Sequence, residues 1–239
     1  MTRSIRLFAL AAVLSASVTV ARAGAVDPTG HWEGAIVVPS GEMPFEVDIG
    51  VDESGALVGT FTNPSEQLVG YPLSKVVVDG AKVTLEIDTG SGSGSQRFVG
   101  SVSAEGQVLS GELLVSVYGL PFSFRRTGEA RIAAPPHNPS IDAALARDWQ
   151  ATLVIGKSSL PVRLSMQNNA DGSASGTWAS GSGVATPLRI AEEGGKLTLT
   201  STVAPASFVG AMSADGTEIA GTLTSGALHQ PLTFTPSVR

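Results

Sequence analysis

Between Gly30 and Arg126 apolar and polar residues alternate in runs. Phe45, Val47, Ile49 and Val51 alternate with Glu46, Asp48 and Gly50, and Val83, Leu85 and Ile87 alternate with Thr84, Glu86 and Asp88. A period of two puts the apolar side chains on one face of a strand and the polar ones on the other. Glycine-centred turn signals separate the runs at Asp52 to Gly55, Asp79-Gly80 and Glu105-Gly106. The pattern predicts eight strands, at about 31–38, 43–52, 56–62, 71–78, 81–88, 96–103, 107–115 and 118–126. A second set of eight follows, from about Trp149 to Phe234.

The second set repeats the first. Trp32, Pro44, Gly55, Gly59 and Phe61 recur as Trp149, Pro161, Gly172, Gly176 and Trp178, each 117 residues later. Gly100, Gly106, Gly111, Pro121 and Phe124 recur as Gly210, Gly216, Gly221, Pro231 and Phe234, each 110 residues later. The slip implies shorter loops in the second copy. A repeat of this length is a whole domain rather than a solenoid unit.

Every connection is short, so successive strands should pair as an antiparallel meander. Eight twisted strands of this length close into a barrel and lose their exposed edges; an open sandwich is the alternative for the same pattern. The expected fold is all-β: two tandem eight-stranded antiparallel up-and-down β-barrels. The first barrel spans 24–126 and the second 148–239, joined by a linker over 127–147. Three prolines in Ala134-Pro135-Pro136-His137-Asn138-Pro139 argue against regular structure there. Ser140 resembles an N-cap for a short helix, Ile141 to Arg147, that would act as a spacer or plug.

Composition adds a compartment. Arg3 and Arg6 precede an uncharged, mostly apolar stretch from Leu7 to Val20, and Ala21-Arg22-Ala23 follows with small-x-small character. Residues 1–23 therefore read as a cleaved signal peptide, which implies a periplasmic or secreted protein with no membrane span after cleavage. The chain has no cysteine, so disulfides, thiolate metal sites and cysteine lipidation are excluded. Without the leader it carries 12 basic and 21 acidic residues, the acids scattered. That balance disfavours nucleic acid and anionic membranes as partners.

The loops differ by end. Tight turns follow the second, fourth and sixth strands, whereas Asn63 to Gly70 and the Gly/Ser tract Thr89 to Ser95 are long. The second copy repeats this with Asp171-Gly172, Gly194-Gly195 and Asp215-Gly216 against the long Ala179 to Thr186. Alternate turns of a meander share an end, so each barrel should have a closed floor and a loop-rimmed mouth able to admit one small ligand. Strand parity turns Trp32, Gly34, Ile36, Leu57, Gly59, Phe61, Phe98, Gly100, Val102, Leu109, Gly111 and Leu113 inward. The mid-strand glycines have two readings: they let a coiled strand bend, or they leave space for a ligand. Phe45, Phe61, Tyr71, Phe98 and Tyr118 all lie near the first mouth. They form either the upper core layer or the grip on a flat or aliphatic ligand, and they are the candidate ligand-binding residues.

Gly30-His31-Trp32 at the start of the first strand resembles the G-x-W signature of lipocalin and avidin-like barrels. In those barrels the tryptophan closes the floor, often beneath an arginine from the last strand. The resemblance implies that Arg125 or Arg126 lies across Trp32, a favourable cation–π contact. The second copy departs from it, with Asp148-Trp149 and no arginine in Phe234-Thr235-Pro236, so its floor needs another solution. Gly55-Ala56-Leu57-Val58-Gly59-Thr60-Phe61, Tyr71-Pro72-Leu73, Lys82-Val83-Thr84 and Leu109-Ser110-Gly111 resemble a lipocalin-like domain that accompanies exported bacterial serine hydrolases. The resemblance implies an accessory role, with the hydrolase portion absent here.

No catalytic motif is present. Gly90-Ser91-Gly92-Ser93-Gly94 has the wrong spacing for a nucleophile elbow, and no serine stands three residues before a lysine. His31, His137 and His229 share no metal-ligand spacing. Glu33 and Glu46 belong to faces expected to be solvated. The expected protein is non-enzymatic and cofactor-free, binding a small apolar or amphipathic ligand in the first barrel. The alternative is a structural or interaction module with a periplasmic hydrolase as partner.

Overall fold

Strand alternation becomes a burial pattern: Phe45, Val47 and Ile49 are buried along one strand, as are Val83, Leu85 and Ile87 along another. The computed structural model describes residues 26–90 and 95–237; the expected signal peptide, the Ser91 to Gly94 part of the Gly/Ser tract and the last two residues lie outside them. The first half comprises β1 (Gly30–Val38), β2 (Gly41–Val51), β3 (Leu57–Asn63), β4 (Leu68–Pro72), β5 (Lys75–Asp79), β6 (Lys82–Ile87), β7 (Gln96–Val102), β8 (Val108–Val115) and β9 (Tyr118–Gly128). The second comprises β10 (Asn138–Pro139), β11 (Asp148–Ile155), β12 (Ser158–Asn168), β13 (Ser173–Ser180), β14 (Thr186–Glu193), β15 (Lys196–Ser201), β16 (Ala206–Met212), β17 (Ile219–Ser225) and β18 (Leu228–Pro236).

All ladders are antiparallel. In the second half β11 to β18 form a closed ring, because β11 pairs with β18 and β13 pairs with β14. The first half is a curled nine-stranded sheet in the order β4-β3-β2-β1-β9-β8-β7-β6-β5. Its two end strands belong to one bent segment that changes partner at Leu73-Ser74. The Leu73 N–H donates to the Gly59 carbonyl on the β3 side at 2.8 Å, and the Ser74 N–H to the Glu86 carbonyl on the β6 side at 2.8 Å. Among the described residues no ladder joins β3 to β5. Of the two barrels expected, the second is a complete ring and the first is a curled sheet.

The repeated glycines are sites of close backbone approach. Gly100 faces Gly111, and Gly210 faces Gly221. A Cβ on Gly111 would stand 2.1 Å from the Val99 oxygen. A Cβ on Gly100 would meet the Phe122 ring at 2.9 Å, and one on Gly210 or Gly221 would meet the Phe208 ring at 2.7 Å. Backbone and phenyl rings therefore fill the space that these glycines leave.

Both floors are closed by a tryptophan. Trp32 and Trp149 are fully buried. Each indole N–H donates to the carbonyl four residues earlier, Pro28 and Leu145, at 3.0 Å. The Arg126 guanidinium lies 4.7 Å from the Trp32 ring centre, and Arg147 lies 5.3 Å from that of Trp149. Arg147 is the repeat counterpart of Gly30, whose added Cβ would press on the Arg126 stem at 3.3 Å. The counterpart of Arg126 is Pro236. The two floors thus carry the same cation, from the last strand in the first half and from the linker just ahead of β11 in the second.

The linker differs from its expected form in two places. Ile141 to Arg147 runs as turns rather than a helix, since burial of Ile141 and Leu145 in the second core and the Trp149 bond to the Leu145 carbonyl set its path. Asn138-Pro139, within the proline-rich stretch, forms the short strand β10 on β13. The buried Asn138 amide donates to the Ala174 and Leu188 carbonyls and accepts from the Ile190 N–H, bridging β13 and β14 where their ladder ends.

Gly111→Ala should destabilise the first half by about 2 kcal/mol through overpacking, read as a lower denaturant midpoint; an unchanged midpoint would contradict the close approach. Acid offers a second check. At the β16–β17 turn the hydroxyls of Ser213 and Thr217 hold the Asp215 carboxyl down at about 2, below its ordinary 3.8. The fold favours the ionised form, so this contribution is present above about pH 4 and disappears as pH falls toward 2. Asp215→Asn should flatten that part of the stability-against-pH curve of the second half, measured by thermal melting.

Candidate functional site at the facing mouths

The two loop-rimmed ends meet. The Val69 N–H in the first half donates to the Val203 carbonyl in the β15–β16 loop at 2.9 Å. Val203 itself is buried within the first half's core, with Ala204 packed beside it. In return the Asp88-Gly90 segment enters the rim of the second half. The Asp88 carbonyl accepts from the Val184 N–H at 3.1 Å and from the Tyr71 hydroxyl at 3.2 Å. Its carboxylate accepts from the Gly90 N–H at 2.9 Å and from the Ser182 hydroxyl at 3.2 Å.

Four of the five candidate residues converge beneath this contact. Phe45 stacks with Phe61 at 6.2 Å, Phe61 meets Tyr71 at 5.4 Å, and Phe45 meets Phe98 edge-on at 6.2 Å. Phe122 and Phe124 extend the cluster below Phe98 at 5.1 and 5.7 Å. These rings fill the upper lumen of the first half and Val203 covers them. Tyr118 stands apart: it is 70% exposed on the β8–β9 hairpin beside Val117, which is 88% exposed.

The cavity beside Tyr71 lies in the other half. A half-open cavity of about 260 Å³ occupies the upper lumen of the second barrel. Val162, Trp178, Leu223 and Leu232 are among the residues around it, and Tyr71 and Thr89 of the first half complete its wall. The repeat explains the difference. Tyr71 opposes Phe61 across β3–β4, and Thr186 opposes Trp178 across β13–β14, so Thr186 occupies the place of Tyr71. By the same alignment Val162 replaces Phe45 and Leu232 replaces Phe122. Only the Phe208–Phe234 pair, 5.2 Å apart, retains the lower aromatic packing. Three smaller side chains leave a void where the first half has aromatic rings.

Tyr71 is the one candidate residue that touches this cavity. Burial, then the nearby Asp88 carboxylate, raises its hydroxyl pKa above the ordinary 10.0. The phenol is thus neutral at physiological pH, with its proton directed at the Asp88 carbonyl.

A second polar cluster lies on the outer face of the first half. His31 is buried, with Nδ1 2.8 Å from Asp48 Oδ1 and Nε2 3.0 Å from Glu33 Oε1; Glu46 Oε2 is 3.9 Å from Nε2. Register places His31 directly opposite Asp48. The linker covers them: the Arg131 N–H donates to Asp48 at 2.7 Å, and Ile132 packs at Gly50. Glu33 and Glu46 are thus partners of a buried histidine as well as members of a strand's outer face. In the second half the same positions hold Asp148 and Ser165, which hydrogen-bond at 2.7 Å.

No family model and no curated protein matches the chain. Among solved structures, a candidate outer membrane protein from Bacteroides fragilis NCTC 9343 aligns at 15% identity, over 88% of this chain and 97% of its own, with a TM-score of 0.29. A protein of unknown function from the DUF3598 family of Nostoc punctiforme PCC 73102 aligns at 11% identity, over 87% and 96%, with a TM-score of 0.27. Likenesses at these scores carry no weight for function. Among the described residues no helix is long and apolar enough to cross a membrane, which says nothing of strands.

Val203→Asp should undock the halves, because a carboxylate cannot be buried among the first half's aromatic rings without a partner. Small-angle scattering should show a larger radius of gyration than for the parent protein. An unchanged profile would mean that Val203 does not hold the mouths together.

Proposed function

We propose that this is an exported, non-enzymatic binding protein whose second half holds a small apolar ligand at the junction of the two mouths. The supporting observation is the 260 Å³ cavity, at the place where the first half has its aromatic layer. A half-open apolar lumen of this size exposes hydrocarbon to water unless a ligand fills it. The volume lies just below the ~300–1,000 Å³ typical of drug-sized ligands. At roughly 30 Å³ per non-hydrogen atom of a liquid, by analogy with water, it accommodates about nine.

This reading moves the ligand from the first lumen to the second and retains Tyr71 as a contact. Phe45, Phe61 and Phe98 then serve as packing that makes the first half a rigid cap. Export follows from the leader-like residues 1–23.

The repeat supplies the test. Val162→Phe, Thr186→Tyr and Leu232→Phe together install the first half's residues in the second. The triple variant should lose binding of 1-octanol or naphthalene, followed by Trp178 emission and native mass spectrometry. Trp32 and Trp149 are buried in the floors, so Trp178 is the indole that reports on the cavity. A parent protein that binds neither compound would remove the proposal.

A further inference from the structure

We infer that the cavity selects a neutral ligand bearing a hydroxyl, of medium-chain alcohol size, and rejects the carboxylate of the same chain. The inference rests on the binding function proposed above and adds the chemistry of the recognised end. The first observation is the wall itself: among the described residues no Asp, Glu, Lys, Arg or His side chain lines the cavity. An ion placed there loses hydration and gains no counter-charge, which costs far more than transfer of a neutral hydroxyl.

The second observation is the orientation of Tyr71. Its proton goes to the Asp88 carbonyl, so the phenol oxygen offers lone pairs to any neighbour. It can accept a hydrogen bond from a ligand but has no proton left to give. An alcohol supplies that donor, and a carboxylate does not. The Asp88 carbonyl also takes the Val184 N–H, which keeps both of its lone pairs engaged and fixes the direction of the Tyr71 bond.

The third is the charge behind Tyr71. The Asp88 carboxylate is held close by Gly90 and Ser182, and it acts on the Tyr71 hydroxyl. A ligand carboxylate near Tyr71 would be repelled by it. Ser201 complements the arrangement on the opposite half. Its oxygen accepts the Val203 and Ala204 N–H groups at 3.3 and 3.2 Å, so its own proton is available to a ligand oxygen. A hydroxyl, both donor and acceptor, matches this pair.

The test uses the full-length exported protein and three eight-carbon probes at pH 8: 1-octanol, octanoate and octylammonium. Binding is measured by Trp178 emission and competition in native mass spectrometry. Octanol should bind at least tenfold more tightly than octanoate and more tightly than octylammonium. Tyr71→Phe, which keeps the ring in the aromatic layer, should narrow the alcohol–carboxylate gap at least threefold by weakening octanol, while the uncharged wall keeps octanoate the weaker ligand. Equal binding of octanoate and octanol, or preference for the ammonium, would overturn the selectivity while leaving the binding function intact. Failure of all three probes, together with naphthalene, would overturn both. A gap that Tyr71→Phe leaves unchanged would remove the role assigned to Tyr71.

Discussion

An eight-stranded meander that curls on itself encloses a lumen too narrow for bulk water, and that lumen must be filled. This constraint governs both halves of the molecule. Floors are met the same way in each, by a buried tryptophan hydrogen-bonded to its own chain and covered by a guanidinium. Middles are met by glycine pairs that admit a phenyl ring. The tops diverge. In the first half rings reach the rim and Val203 seals them. In the second, valine, threonine and leucine stop short, and the neighbouring half covers the remainder only in part.

The repeat has kept its physical solutions more faithfully than its residues. Exchange of Gly30 and Arg126 for Arg147 and Pro236 moves the floor cation from the last strand to the linker residue just ahead of the first without altering what covers the indole. Each side of the swap depends on the other, because a side chain at Gly30 would displace Arg126. The outer-face pair changes in the same manner. His31–Asp48 tethers the linker as it leaves β9 through the Arg131 N–H, whereas Asp148 and Ser165 hydrogen-bond to each other. The linker then closes the second ring through Asn138. The first half therefore contributes to the second both a wall residue and the chain that staples its seam.

Much of the fold is legible in the sequence because a period of two and glycine turns report local backbone geometry directly. The predicted strand at 71–78 corresponds to β4 and β5 together. Alternation shows strand character but not the point, Leu73-Ser74, where a strand changes partner. The G-x-W resemblance implies Arg125 or Arg126 over Trp32, and Arg126 is the one that lies there, whereas Arg147 belongs to a linker and carries no strand signal. The seven residues after Ser140 have a capping residue, but burial of Ile141 and Leu145 outweighs the propensity of so short a run. Clustering of Phe45, Phe61, Tyr71 and Phe98 follows from parity. Their cover, Val203, comes from a loop more than 100 residues away and leaves no local trace. The second half's cavity has a faint signature in the exchange of Phe45, Tyr71 and Phe122 for Val162, Thr186 and Leu232.

The contact between the mouths is reciprocal but unequal, and the inequality has a thermodynamic consequence. Val203 completes a hydrophobic core, so docking stabilises the first half whether or not a ligand is present; burying one valine contributes about 1.5 kcal/mol. On the other side docking rests on hydrogen bonds from Val184 and Ser182 to Asp88, and Tyr71 and Thr89 complete a wall around open volume. A ligand that touches Tyr71 as well as the second half binds the docked form more tightly than the undocked one. Linkage then requires that docking raise ligand affinity by the same factor by which the ligand strengthens docking. In the binding function proposed above, filling the second half would therefore favour the docked arrangement of the two domains.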